Sequence, residues 1–175
     1  MLTGHVAVAM GVHGLRSSIP LWFLILASQL PDWADAALCT AGIRPAVPGA
    51  YSHGFVPIGV LAAAVAIAWF VWSRSAGGSL IIAAVVITHA LGDYVTGAKP
   101  TWPHGPMIGL QLYSKPMRDF LFEGGIIVAG WLLYRRSFPA DKRDSRYVLM
   151  LVFALLLIQG VADIILSMSP GLKKC

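Results

Sequence analysis

An all-α bundle embedded in a membrane is the fold this sequence predicts, and three observations carry the prediction. Charged residues make up only 12% of the 175-residue chain and hydrophobic residues 57%, with a mean hydropathy of +0.73. A soluble domain carries about a quarter charged residues. Several apolar stretches approach or reach the roughly 20 residues that a helix needs to cross a bilayer. The segments between them are either charged or rich in Pro, Gly and aromatic residues. The net charge of +5 does not indicate a nucleic-acid partner, because the 13 Lys and Arg are spread between apolar stretches. Loop charges of that kind orient membrane proteins. The length suits a single membrane-embedded domain over residues 1–175.

Taken in order, residues 3–15 and 18–30 are short apolar segments separated by Arg16 and Ser17. At 1.5 Å per residue each spans only about 20 Å, which predicts a hairpin of short helices entering the membrane part-way. A loop rich in Pro and Gly follows at 36–52. Residues 55–72 and 79–95 are long apolar helices joined by a short turn that contains Arg74. Residues 97–118 hold Pro100, Pro103, Pro106 and Pro116, too much proline for a continuing helix, and read as an ordered cap. The last two long helices are 119–134 and 147–168, giving about four in all. Between them lies the charged loop 135–146. The N-terminus lacks a basic signal-peptide region, so the first segment is expected in the mature protein.

Alternating the sides places Arg16, Arg74, Arg135, Arg136, Lys142, Arg143 and Arg146 in short loops on one face. Arg44, Lys99, Lys115, Arg118, Lys173 and Lys174 are spread over much more chain on the other. The positive-inside rule makes the first face cytoplasmic. On this threading His5, Asp32, Asp35, His53, His89, Asp93, Asp119 and Glu123 all fall toward the non-cytoplasmic face. His nitrogen and carboxylate oxygen are the ligands of hydrolytic zinc sites. His89 and Asp93 stand at i and i+4, on one helix face. Ionisable groups at membrane depth are costly and default to a functional or paired role.

The expected metal ligands are therefore His5, Asp32, His53, His89 and Asp93, holding one or two divalent ions, zinc first. Ordinary readings stand beside these. His5 also reads as a simple N-terminal polar residue, and one of Asp32 and Asp35 as a turn cap after Pro31. His53 also reads as a helix cap acting through Ser52. Glu123 is either a ligand, a general base or a partner of Arg118 or Lys115. Asp119 suits a helix start, where the dipole favours a carboxylate. Asp119, Asp163 and His104 are expected to support the ligands, and His13 to be structural. Cys39 and Cys175 form no CxxC motif; a single disulfide between them is the alternative to two thiols.

Once these motifs are assembled, the chain resembles the bacterial inner-membrane-bound, metal-dependent hydrolases, the YdjM-like family described as LexA-binding inner-membrane hydrolases. The matching runs are TGHVAVAMGVHG, SQLPDWAD, YSHG, THALGDYVTGAKPTWP and RDFLFEGG. Where that family has H-R-G-x-T-H-S, this chain keeps the final histidine as His53 but has Pro48 and Gly49 at the earlier histidine and arginine positions. The order His5, Asp32, His53, His89, Asp93 is also similar to the ligand order of zinc-dependent phospholipase C and P1 nuclease.

These readings converge on a membrane-bound metal-dependent hydrolase of the bacterial inner membrane, with its site toward the non-cytoplasmic face. Its expected substrate is a phosphoester or a lipid-linked molecule, hydrolysed by a metal-activated water. Asp35 or Glu123 is expected to take a proton from that water. Lys99, Lys115 and Arg118 would hold an anionic group, and Trp102 would line the pocket. The alternative is a small transporter or proton-coupled carrier using the His and Asp residues as a relay. Membrane lipids are the expected partners, and nucleic acid is not.

Overall fold

A computed structural model describes residues 3–43, 45, 47 and 49–168, without the side chain of Leu166. Among the described residues the chain forms seven α-helices: α1 (Thr3–Leu15), α2 (Leu21–Ser28), α3 (Leu30–Thr40), α4 (Phe55–Ser73), α5 (Ala76–Thr96), α6 (Pro116–Tyr134) and α7 (Arg146–Met168). Two short strands, β1 (Lys99–Pro100) and β2 (Met107–Ile108), interrupt them. The all-helical expectation holds. Helix α3 is the main departure, because it extends to Thr40 through a stretch expected to become loop at residue 36. Pro31 explains this. It cannot continue α2, yet its fixed φ suits the first turn of a new helix.

Three helices among the described residues are long and apolar enough to cross a membrane: α4, α5 and, in α7, Arg146–Ile165. Only 17%, 33% and 28% of their respective apolar windows are buried inside the protein. Val56, Val60, Ile67 and Val71 of α4, Leu80 and Leu91 of α5, and Phe153, Leu157 and Ile164 of α7 therefore present large apolar side chains outward. In water that surface would be a liability; facing lipid chains it is the expected arrangement. Helix α6 matches α4 in length, but Arg118, Asp119 and Glu123 in its first turns keep it out of this set.

The described residues divide into two compact units, residues 3–25 with 112–168, and residues 26–111. In the first, α1, α6 and α7 enclose a core of Ala7, Met10, Ile127, Trp131, Val148, Val152 and Leu155. Trp131 donates its indole N–H to the Val148 carbonyl at 2.7 Å, so its one polar atom is satisfied inside that core. Glycine sets how closely α1 and α6 approach. A Cβ on Gly130 would lie 2.2 Å from the Ala7 carbonyl oxygen, and one on Gly14 would lie 2.1 Å from that of Leu133. Small residues at such crossings let backbones touch, a common device where no hydrophobic effect drives helices together.

In the second unit α4 and α5 form a hairpin around Ile58, Ala62, Trp69, Ile82, Val85 and Val86. Ser75 caps α5 by accepting from the Gly78 N–H at 3.1 Å. Beyond α5 the β1–β2 hairpin pairs Lys99 with Ile108 and Pro100 with Met107. The expected ordered cap is thus a small antiparallel hairpin in its first half. Gly109 closes it at φ +147, where a Cβ would lie 2.0 Å from the Gly97 carbonyl oxygen, so no side chain fits. Phe55 N–H donates to the Thr101 carbonyl at 2.9 Å, tying the hairpin to the start of α4.

The close crossing makes a direct prediction. Gly130→Ala places a methyl against Ala7 backbone that cannot yield, and is expected to destabilise the α1–α6 pair by about 1–3 kcal/mol. Gly125→Ala on the same helix meets open space and serves as the control. Thermal unfolding of both variants in detergent micelles checks this.

Candidate metal centre

The inner stripe of α5 decides where its polar residues point. Ile82, Val85, Val86, His89, Asp93 and Thr96 recur at helical spacing and are all buried. The apolar members anchor the stripe, so His89 and Asp93 are carried inward with it. They meet Asp32 from α3 and His53, which stands just before α4. One ligand-capable atom from each of the four lies within 4.8 Å of the others.

The distances are compatible with a coordination shell. His53 Nε2 stands 3.2 Å from both Asp32 Oδ1 and Asp93 Oδ2. His89 Nε2 stands 3.7 Å from the same two oxygens and 3.4 Å from His53 Nε2. Zinc bonds of about 2.0–2.2 Å at tetrahedral angles would put the donors roughly 3.3–3.6 Å apart. The five edges that involve a histidine, 3.2–3.7 Å, bracket that separation.

Hydrogen bonds behind the rings fix which nitrogen faces inward. His89 Nδ1 lies 2.7 Å from the Ser28 carbonyl, which only accepts, so Nδ1 carries the proton. Ser52 Oγ donates to Asp35 Oδ1 at 2.9 Å and therefore accepts from His53 Nδ1 at 2.7 Å. Both Nε2 atoms are left facing two carboxylate oxygens. The Lys99 ammonium, 2.8 Å from Asp93 Oδ2, balances part of this charge, and a metal ion or protons on the rings could balance the rest.

The electrostatics agree. Burial is the largest influence on His53 and pulls its pKa down, but hydrogen bonds to Asp32 and Asp93 outweigh it and leave the value raised. Burial pushes Asp32 up, yet the His53 hydrogen bond and the His89 charge bring it below the ordinary aspartate value. Without metal, the His53 contribution to stability is full below the unfolded histidine value and is lost as pH rises through the raised one. The Asp32 contribution is full above the unfolded aspartate value and is lost as pH falls through the lowered one. A buried His/Asp group of this kind can hold a metal ion. Asp32, with its side chain 44% exposed, is the edge open to the outside, while the other three are buried.

The remaining sequence-predicted residues are placed as follows. Asp35 reaches the centre through Ser52 and borders a shallow groove with Cys39, Ile43, Pro45 and Gly49. Lys99 places its Nζ 2.8 Å from Asp93 Oδ2. Trp102 and His104 are exposed in the hairpin tip. His5, Lys115, Arg118, Asp119, Glu123 and Asp163 belong to the other unit. There Asp119, Glu123 and Asp163 come together, and His5 is buried in α1. His13 binds the Ile19 carbonyl at 2.9 Å and packs its ring near Tyr134, in keeping with a structural role. Pro48, Arg44, Lys173, Lys174 and the pairing of Cys39 with Cys175 lie outside the described residues.

Sequence reasoning missed Ser52 as a link, the Ser28 carbonyl, and Tyr94, whose hydroxyl donates to the carbonyls of His53 and Pro100 at 3.3 and 3.1 Å. Ser52 had a signal, its position beside a candidate ligand. A backbone carbonyl has none. The molecule is thus a helical protein with, among the described residues, three helices long and apolar enough to cross a membrane and a buried His/Asp cluster able to hold a metal. No family model, curated protein or solved structure matches the chain.

Two measurements follow. Metal must displace the proton from His53, so apparent zinc affinity is expected to rise with pH, by about tenfold per unit while that ring is protonated. Competition with a chromophoric chelator across the neutral range checks it. Ser52→Ala removes the link that orients His53 and is expected to weaken zinc binding about 10–100-fold without unfolding the protein. The same assay, with circular dichroism, reads both.

Proposed function

We propose that the protein is a membrane-bound, metal-dependent hydrolase acting on a phosphoester or lipid-linked substrate. The observation that carries this reading is the donor set of two imidazole nitrogens and two carboxylate oxygens, buried on three sides and open at the half-exposed Asp32, where a water would join the metal as a further ligand. Zinc is the metal those donors suit best, and when bound it would polarise a phosphoryl or acyl oxygen and lower the pKa of a water to about 7.

The chain's own residues supply the rest. Lys99 holds a positive charge beside Asp93 and is placed to bind an anionic oxygen of the substrate. Asp35, half-buried at the groove, is the carboxylate we assign to accept a proton. Its bond through Ser52 keeps the His53 ring turned so that Nε2 faces the cluster. The outward apolar surfaces of α4 and α5 favour a substrate that arrives within the lipid. The loop charge bias favours a site on the non-cytoplasmic face, which we assign to a bacterial inner membrane.

Purified protein in mixed lipid–detergent micelles is expected to hydrolyse bis-p-nitrophenyl phosphate or a phospholipid, with activity lost on chelation and restored by zinc. Asp93→Asn is expected to remove both metal and activity. Asp35→Asn is expected to keep the metal and lower kcat about 10²-fold or more. Solute uptake by sealed vesicles, with no hydrolysis of any phosphoester or acyl substrate, would overturn the proposal in favour of a carrier.

A further inference from the structure

The unit built from α1, α6 and α7 contains a second constellation that the hydrolase reading does not use. The inner stripe of α6 begins with Asp119 and Glu123, one turn apart, and continues as Ile127, Gly130 and Trp131. The inner stripe of α7 runs Val148, Val152, Leu155, Gln159 and Asp163. Each stripe is apolar at one end and acidic at the other, and the acidic ends meet. One oxygen from each of Asp119, Glu123 and Asp163 lies within 4.8 Å of the other two. Their relative exposures are 0%, 0% and 4%.

Donors serve the outer side of this group. Gln159 Nε2 donates to Asp163 Oδ1 at 2.7 Å, and Gln159 Oε1 is held by the Thr3 hydroxyl at 2.6 Å. The Gly4 N–H, at the start of α1, donates to Glu123 Oε2 at 3.3 Å. Both oxygens of Asp119 and Oδ2 of Asp163 are buried with no hydrogen-bond donor among the described residues. An unmatched buried carboxylate is costly, and three sharing one site repel each other. This network orients Asp163 and Glu123, and Asp119 and Asp163 are close enough to share a proton; a divalent ion held by the three would neutralise more of their charge than the amino terminus that acts on Asp119 and Asp163.

We propose that Asp119, Glu123 and Asp163 form a divalent-cation site in this unit, separate from the His/Asp donor set. With oxygen donors only, it suits a hard ion such as Mg²⁺ or Mn²⁺, whose remaining positions water fills. The proposal does not rest on the hydrolase reading. It also gives Asp119 and Glu123 a structural office, holding the start of α6 to the end of α7.

The test uses the full chain in detergent micelles, stripped with chelator and titrated with MnCl₂ under electron paramagnetic resonance. A His89→Ala/Asp93→Asn background removes the other donor set. In that background about one Mn²⁺ per chain is expected to remain bound. Adding Asp163→Asn or Glu123→Gln is expected to weaken it more than about tenfold. Mn²⁺ is also expected to raise the melting temperature, and to lose that effect in Asp119→Asn. The amide variants keep shape and remove buried charge, so their metal-free forms are expected to melt no lower than the parent. No Mn²⁺ bound to the folded background protein would overturn the proposal, as would binding unchanged by Asp163→Asn. Metal-free protein that melts where the Mn²⁺-treated protein does would show protons alone neutralising the trio, which also overturns it. Hydrolysis lost in the background while Mn²⁺ stays bound would leave this site standing whatever the fate of the hydrolase reading.

Discussion

Two imidazole rings have their Nδ1 protons already committed, one to the Ser28 carbonyl and one to Ser52, and everything proposed for the central unit depends on this. Because those protons point away, both Nε2 atoms face Asp32 and Asp93, and the four atoms make a small, negatively biased cage. The raised pKa of His53 and the lowered pKa of Asp32 express the same fact. A cage of this composition can hold a cation, and its histidine edges are compatible with the spacing around a metal ion. Most of the surrounding structure serves to hold the four atoms there. The α5 stripe carries His89 and Asp93 inward, the Pro31 break turns Asp32 out of α2 into α3, and Tyr94 ties the backbone at His53 to the hairpin that delivers Lys99.

An outward apolar surface on helices able to cross a membrane explains how such a small protein tolerates these polar groups. Helices α4, α5 and α7 place most of their apolar side chains outside, leaving narrow inner stripes. In a soluble domain the inner stripe has to be apolar, because it supplies the hydrophobic stabilisation. In lipid that requirement weakens, and association rests on close packing and internal polar contacts. Gly14 and Gly130 at the α1–α6 crossing provide the first. The Thr3–Gln159–Asp163 chain and the Gly4–Glu123 bond provide the second. Polar clusters are therefore part of what holds each unit, as well as candidate sites.

Much of this could be read from residue order. Helix positions followed from apolar runs, and the i, i+4 pair His89 and Asp93 announced a shared face. The same spacing links Asp119 to Glu123 and Gln159 to Asp163, although the sequence reading did not single out Gln159. Harder to see was how the acids would divide. Hydropathy ordered them along one face of a membrane, which put Asp119 and Glu123 in the same list as Asp32 and Asp93 and left Asp163 within the last helix. Asp119, Glu123 and Asp163 instead gather in one unit, Asp32 and Asp93 in the other. Asp35 likewise shared the LPDWAD motif with Asp32, yet it reaches the cluster only through the Ser52 hydroxyl.

The sequence by itself determined that this is a helical protein with an apolar exterior, because composition and run length settle how much chain can be buried in lipid. It also determined that His89 and Asp93 share one helix face, since residues four apart on a helix lie about one turn from each other. Only the tertiary structure decided which distant residues join them. His53 and Asp32 come from separate segments, and their meeting depends on a proline-initiated helix and a hairpin closed by Gly109. Ring orientation was likewise decided by Ser28 and Ser52, through atoms that hydropathy and spacing do not register. Local periodicity sets which face a residue occupies; the partners across that face are set by how the chain folds back.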